Sequence, residues 1–516
     1  MTGNEFSGKE KRRAIQVLTL NTLAFTVNFA CWMLNGVLIT FLVENGAYDW
    51  TNTQMGWLIG IPVLSGALFR LPVGVLTDKY GGRIVYTVVM LLAALPMFLL
   101  SYADSYWQFF MYGLGFGLAG TTFAVGIAYT SVWFPKKYQG TALGIFGAGN
   151  AGAAVTSMLA PLLLARLTSG GESIEAWRAA PRIYAVALLA MAVIFYFTTY
   201  SKRVDDSHVT SLSQRLEPLK HLKVWRFGLY YFLVFGGFVA LAQWLIPYYV
   251  NAYKLTVATA GMMAAIFSLP SGVIRALGGW LSDRFGARAV MNTVFITTLA
   301  ATILLVFPPM DVETPGKGVM ATRSGTVTQV TDKVIVVGNV AHNLKYGEDE
   351  AQTVENRDAG VLIWPTRSAW QKPVVEVGDS VERKQLLAKG ITHIHFEANV
   401  WIFTGLVFIV GIMMGIGKAG VYKYIPDYFP RDVGVVGGIV GVLGGLGGFV
   451  CPILFGYLLD ATGLWTTCWI FFALFTAACI WWMQHAIRES ESLVKAPYAA
   501  VQTDGVQQRE LEKSHA

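Results

Sequence analysis

The sequence predicts an all-α membrane protein: twelve transmembrane helices in two pseudo-symmetric six-helix bundles, with a small β-rich extracytoplasmic insertion. Three observations predict it. The chain is 54% hydrophobic and only 14% charged, against about a quarter charged residues in soluble domains. Its apolar residues come in runs of about 20, the length that crosses a hydrocarbon core as helix. A stretch of the first half also recurs, in register, in the second.

Twelve runs begin near residues 19, 54, 84, 107, 140, 182, 225, 257, 289, 397, 432 and 464. The charged N-terminus, Lys9 to Arg13, leads into an apolar stretch too long for a signal-peptide core, so the first run reads as a retained span. Lys and Arg crowd the N-terminus, the loops at 79–83, 136–137, 202–226, 284–288 and 423–431, and the C-terminal tail. The loops at 44–53 and 460–464 have almost none. The positive-inside rule then puts both termini in the cytoplasm, and the protein in the inner (cytoplasmic) membrane.

The predicted plan is a cytoplasmic N-terminus (1–17), a first bundle (18–200), a cytoplasmic linker (201–224), three further helices (225–309), a periplasmic insertion (310–396), three last helices (397–485) and a cytoplasmic tail (486–516). The net charge of +7 fits membrane orientation, because the basic residues sit in short loops; no nucleic-acid partner is expected. Cys31, Cys451, Cys468 and Cys479 lie inside apolar runs without ligand spacing, so neither a disulfide framework nor a metal site is expected.

Residues 70–83 read RLPVGVLTDKYGGR and residues 275–288 read RALGGWLSDRFGAR. Arg70, Gly74, Leu76, Asp78, Gly81 and Arg83 align with Arg275, Gly279, Leu281, Asp283, Gly286 and Arg288, always 205 residues apart. Further on, Trp107, Gly117 and Gly140 align with Trp401, Gly411 and Gly434, now 294 apart. The difference of 89 is an insertion between the ninth and tenth spans, where the sequence turns polar. Two parallel six-span halves are the arrangement of major facilitator transporters. The motif G-x-L-x-D-[KR]-x-G-x-R, present twice, resembles that superfamily's loop signature. Asp78 and Asp283 fall at cytoplasmic helix ends, beside Arg83 and Arg288. They are expected to pair with arginine or a helix N-terminus and fix one conformer of the carrier, or only to anchor topology.

Arg70 and Arg275 each precede the loop aspartate by eight residues, about 12 Å along a helix. That is too deep for easy snorkelling. No Asp or Glu lies deep in any span; Glu44 and Asp460 are at outer ends. An anionic substrate would supply the missing counter-charge, and a guanidinium fork matches the planar oxygens of carboxylate or nitrate. The alternative is that the arginines hold backbone carbonyls or water. A third cation, Lys418 in GIGKAGVYKYIP, is a candidate switchable charge for coupling, whereas Lys423 reads as a snorkelling residue.

The fifth span reads GTALGIFGAGNAGAA and the eleventh GVVGGIVGVLGGLGG. Gly144 and Gly147, and Gly441 and Gly444, recur at helical spacing and predict close helix crossings that slide or stay static. Asn150, an amide amid glycines, is a candidate donor to an anion oxygen, or glue between helices.

The stretch FAVGIAYTSVWFPKKYQGTALGIFGAGNAGAA, taken with the glycine-rich eleventh span, resembles the paired signatures of the nitrate/nitrite porter family. The resemblance covers all twelve spans but not residues 310–396. It implies that Arg70 and Arg275 clamp the anion from opposite halves, that Asn150 contacts it, and that an aromatic of the seventh span helps. In YYFLVFGGF, Tyr231 best matches that aromatic, with Tyr230 as its rival and Phe235 as a ring over the anion. Some members exchange nitrate for nitrite and others import nitrate with protons. Lys418, where many exchangers are expected to have an uncharged residue, looks more like the proton-coupled type.

The insertion carries β-rich runs, GTVTQVTDKVIVV and GVLIWPT. Its end, VVEVGDSVERKQLLAKG, resembles half of a biotinyl/lipoyl-like barrel in which a Val-Gly-Asp turn precedes a strand. The carrier lysine flanked by methionines is missing, so no cofactor is expected. His393 and His395 alternate on a strand and read as ordinary strand residues or, less favoured, a metal site. A lid, or docking of a periplasmic partner, is open to this segment.

No nucleophile–base group, phosphate loop or ATP motif is present, which disfavours an enzyme or a primary pump. The leading expectation is import of nitrate by alternating access, coupled to protons. Nitrate/nitrite antiport, and an anion sensor signalling through the insertion, are the alternatives.

Overall fold

The computed structural model describes residues 8–202, 217–307, 310–345, 366–396, 399–429 and 433–488. Among these, ten helices are long and apolar enough to cross a membrane, and twelve if each of two bent pairs is one span. In chain order they are α1 (Gly8–Glu44), α2 (Asn52–Leu68 with Arg70–Tyr80), α3 (Gly82–Tyr102), α4 (Tyr106–Trp133), α5 (Tyr138–Leu167) and α6 (Ile174–Thr198). The second half holds α7 (Leu222–Tyr253), α8 (Val257–Val273 with Arg275–Phe285), α9 (Ala287–Leu305), α10 (Val400–Tyr428), α11 (Val435–Thr462) and α12 (Thr467–Arg488). The first helix starts well before the predicted residue 19. Lys, Arg and Glu are good helix formers, so the charged segment from Gly8 continues the apolar helix beyond its hydrophobic stretch.

The repeat is visible in how α2 and α8 are built. Thr51 opens α2 with a capping box shared with Gln54, and Thr256, 205 residues on, caps α8 by accepting from the Thr259 amide at 3.2 Å. Both helices bend one residue before their arginine, by 41° at Phe69 and 46° at Ile274. In α2 the cause is Pro72, which has no N–H for the Leu68 carbonyl; in α8 a Ser271–Gly272 pair precedes the bend. Both end at a glycine of positive φ, Gly81 at 86° and Gly286 at 83°, where a side chain would be strained.

Between the halves, α2 packs on α11 and α5 on α8. A Cβ on Gly60 would stand 2.7 Å from the Phe449 carbonyl, and one on Gly272 2.8 Å from the Ala151 amide, so bare backbone sets these crossings. At the helix ends away from Gly81 and Gly286, two polar ties join the halves. The Asp460 carboxylate of α11 accepts from the amides of Asn52 (3.2 Å) and Thr53 (2.8 Å), from Asn52 Nδ2 (2.8 Å) and from Thr53 Oγ1 (2.6 Å). It thereby caps the N-terminus of α2, where a negative charge also meets the helix dipole. Asn251 Nδ2 of α7 donates to Glu44 of α1 at 2.8 Å.

Residues 307–403 form a separate compact unit. One sheet has the order β1 (Met310–Met320), β7 (Leu386–Phe396), β5 (Thr366–Pro373). The other has β4 (Val340–Asn343), β3 (Val334–Val337), β2 (Gly325–Val330), β6 (Ser380–Val381). Val327, Ile335, Val337, Val381 and Leu387 fill its core. The Val-Gly-Asp turn leads into the short β6: Gly378, at φ 103°, donates to Val327 O, and Val327 N donates back to Asp379 O, both at 2.8 Å. The run GVLIWPT lies outside the described residues up to Thr366, where β5 begins. His393 and His395 take alternate positions on β7, opposite Glu313 and Asp311 of β1; their side chains are outside the described set.

Candidate functional site

Arg70 and Arg275 follow the two bends, and both side chains reach one ring. Each guanidinium carbon lies 5.3 Å from the centroid of Phe123 on α4. Arg70 is buried, 3% exposed. It also faces Phe235 at 5.2 Å and Trp32 at 5.8 Å, while Arg275 faces Tyr422 at 5.3 Å.

One donor of Arg70 is satisfied: Nη1 gives a hydrogen bond to the Gly441 carbonyl at 2.7 Å. The carbonyl-holding alternative is therefore realised for a single nitrogen. Nε and Nη2 of Arg70 and Nη1 of Arg275 are buried without a hydrogen-bond partner. Among the described residues neither arginine makes a salt bridge. An unpaired cation in the bilayer centre costs about 3 to more than 10 kcal/mol, and the π faces here return only about 0.5–2 kcal/mol each. Two positive groups in one chamber with free donors are an arrangement that a small anion would complete.

The aromatic side of the chamber is a column of near-parallel rings. Tyr231 stacks on Phe235 at 5.0 Å and 7°, and Phe235 on Phe123 at 6.0 Å and 20°. Tyr231 also meets Tyr422 edge-on at 5.0 Å, and its hydroxyl has no hydrogen-bond partner. Tyr230 instead packs on Phe295 at 5.3 Å. The geometry thus favours Tyr231 over Tyr230 as the tyrosine facing the arginines. A π-helical turn, Phe232–Gly236, sets this part of α7; such bulges often mark functional sites.

Three of the four glycines read as packing residues touch this chamber. A Cβ on Gly147 would meet Arg275 Cδ at 3.1 Å and one on Gly441 the Tyr422 hydroxyl at 3.2 Å, while one on Gly444 would clash with the Tyr231 ring. Gly144 has an ordinary 3.6 Å approach to Ala276 of α8. Asn150 is fully buried near the arginine level. Its Nδ2 donates to the Gly147 carbonyl at 2.8 Å within its own helix, and its Oδ1 has no partner. One N–H of that amide is thus already committed.

Lys418 is fully buried, its ammonium has no hydrogen-bond partner, and Nζ sits 3.3 Å from the Phe238 ring centroid. Lys423 does more than snorkel: it pairs with Asp283 at 2.8 Å, tying α10 to the end of α8. Arg83 Nε donates to the Tyr196 carbonyl at 2.7 Å and stacks on that ring at 4.5 Å. Asp78 lies in the last turn of α2, and Arg288 at the start of α9. Phe123, Trp32 and Tyr422 were not singled out from sequence. Tyr422 had a signal, four residues after Lys418 on one helix; the two rings of the first half are indistinguishable in sequence from core aromatics.

A sequence model of the Major Facilitator Superfamily matches residues 21–326 and 386–510. The chain belongs to the major facilitator superfamily. It is 38% identical over 477 residues to a probable nitrate/nitrite antiporter, NarK1, of Thermus thermophilus, covering 92% of this chain and 91% of that one. It is 26% identical over 476 residues to a probable nitrate transporter, NarT, of Staphylococcus carnosus, covering 92% and 97%. These relatives place this major facilitator protein among the nitrate/nitrite porters, as a multi-pass transporter and not an enzyme. Solved structures share the fold. A bacterial homologue of the human lysosomal transporter Spinster, inward-facing and occupied, superposes with TM-score 0.59 at 15% identity over 94% of this chain and 98% of that one. The nucleoside transporter NupG gives 0.57 at 12% identity over 92% and 99%.

Proposed function

We propose that this protein imports nitrate across the cytoplasmic membrane by alternating access, coupled to protons. One observation carries the reading: two arginines, one from each half, meet at the Phe123 ring with free donors and no carboxylate partner among the described residues. Nitrate enters from outside, completes the charge balance, and lets the halves rock closed around it. Tyr231, Phe235 and one N–H of Asn150 line the anion, and nitrite fits the same donors. Lys418, buried with no hydrogen-bond partner for its Nζ, carries the proton coupling.

A second reading, nitrate/nitrite antiport, is favoured by the name of the Thermus relative. Reconstituted vesicles with an imposed pH gradient separate the two. Symport is expected to need the gradient and no internal anion. Uptake that requires internal nitrite and ignores the gradient would establish exchange, and absence of any uptake would return the sensor reading.

A further inference from the structure

The chamber accounts for the orphaned donors of the arginines but not for those of Gln243. This residue of α7 is 1% exposed, and neither Nε2 nor Oε1 of its amide has a hydrogen-bond partner. A buried amide left wholly unpaired is costly and uncommon. Its place on the helix is informative. Gln243 stands eight residues beyond Phe235, which faces Arg70, and eight before Asn251, which ties α7 to Glu44. Each interval is about 12 Å of helix. Gln243 is thus midway between the arginine chamber and the tie at the far end of the seam.

The seam at this point is α1 against α7, one helix from each half. A Cβ on Gly36 would lie 2.7 Å from Gln243 Cβ and 2.9 Å from its Cα, so the two backbones nearly touch. Glu44 lies eight residues beyond Gly36, so the same helix pair is held first at Gly36–Gln243 and then at Glu44–Asn251. Parting of the halves at that end would bring the Gln243 amide into the opened seam, on the way to the arginines.

We propose that Gln243 is a relay site, where the anion is held by two amide N–H donors on its passage from the outer mouth to the arginine pair. A neutral amide suits this task. It offers two donors to two anion oxygens but no full charge, and a transit site must bind weakly enough to release. The orphaned state is what the amide endures when the seam is shut. This inference rests on the anion-carrier reading and adds a residue to it.

The test uses the full chain in vesicles and the purified protein, with nitrate as probe. Gln243→Leu and Gln243→Glu are expected to raise the KM for external nitrate about tenfold each. Equilibrium binding of nitrate to the purified variants should stay within about twofold of the parent. The pair is needed because leucine also relieves the orphaned amide and so favours the shut seam, whereas glutamate has the same shape, favours opening, and has no N–H to give. A KM raised by leucine and not by glutamate would overturn the relay, leaving a conformational effect. An unchanged KM in both would overturn it outright. Loss of binding in Arg70→Ala in the same assay keeps the arginine reading separate: if that variant still binds, the chamber fails and not the relay alone.

Discussion

Arg70, from the first half, donates to the carbonyl oxygen of Gly441, in the second, at 2.7 Å. Its repeat mate Arg275 lies against Gly147, where a Cβ would meet its Cδ at 3.1 Å. Gly147 and Gly441 are themselves 294 residues apart and correspond in the two halves. Each arginine therefore rests on the glycine helix of the opposite half, and the chamber is assembled crosswise.

Replacing either arginine should end transport. Arg70→Ala and Arg275→Ala are expected to reduce nitrate uptake to background while membrane insertion stays intact. Arg70→Lys keeps charge but not the fork, so most uptake should be lost as well. Normal uptake by the alanine variants at parental expression would remove the clamp.

The glycines should differ sharply among themselves. In Gly444→Ala the new methyl would clash with the Tyr231 ring, Cδ1 above all. Overpacking of this kind costs about 1–3 kcal/mol, so nitrate binding should weaken between about fivefold and a hundredfold. Gly144→Ala meets Ala276 at 3.6 Å and should bind like the parent. Calorimetric titration of both variants checks the contrast.

Lys418→Asn should flatten the dependence of uptake on external pH, because the buried ammonium over Phe238 is the coupling group of the proposal. Uptake profiles against external pH provide the measurement. A profile superimposable on the parent's would exclude Lys418.

Asp460→Asn keeps the shape of the cap on α2 and discards its charge. A negative charge at a helix N-terminus is worth about 0.3–1 kcal/mol, up to roughly a fivefold shift in a two-state population. Spin labels at the Asn52 end of α2 and the Asp460 end of α11 should report a larger share of long distances in the variant. An unchanged distribution would mean that Asp460 does not hold that end shut.

The twelve spans were legible because hydrophobic length is a coarse signal, and the repeat because Arg70–Arg83 and Arg275–Arg288 align without a gap. Depth from the loop aspartate found the arginine pair. Sequence could not say that Phe123 lies between the two guanidinium groups, since a ring in an apolar run has the same local pattern whether it faces core or chamber. The partner of Lys423 was hidden for a related reason: Asp283 is 140 residues away, and only the packing of α10 on α8 joins them. Asn150 had the right residue type and place, yet its nearest acceptor is the carbonyl three residues back, a local bond that an amide in a helix readily makes.

The β unit opens with Met310 and closes with Phe396, and these two residues face each other across an antiparallel ladder. Chain entry and exit are therefore about 5 Å apart. A cassette with such neighbouring ends can be excised or exchanged with little demand on its host. A small foreign domain with equally close termini would fit between the same two points of the chain.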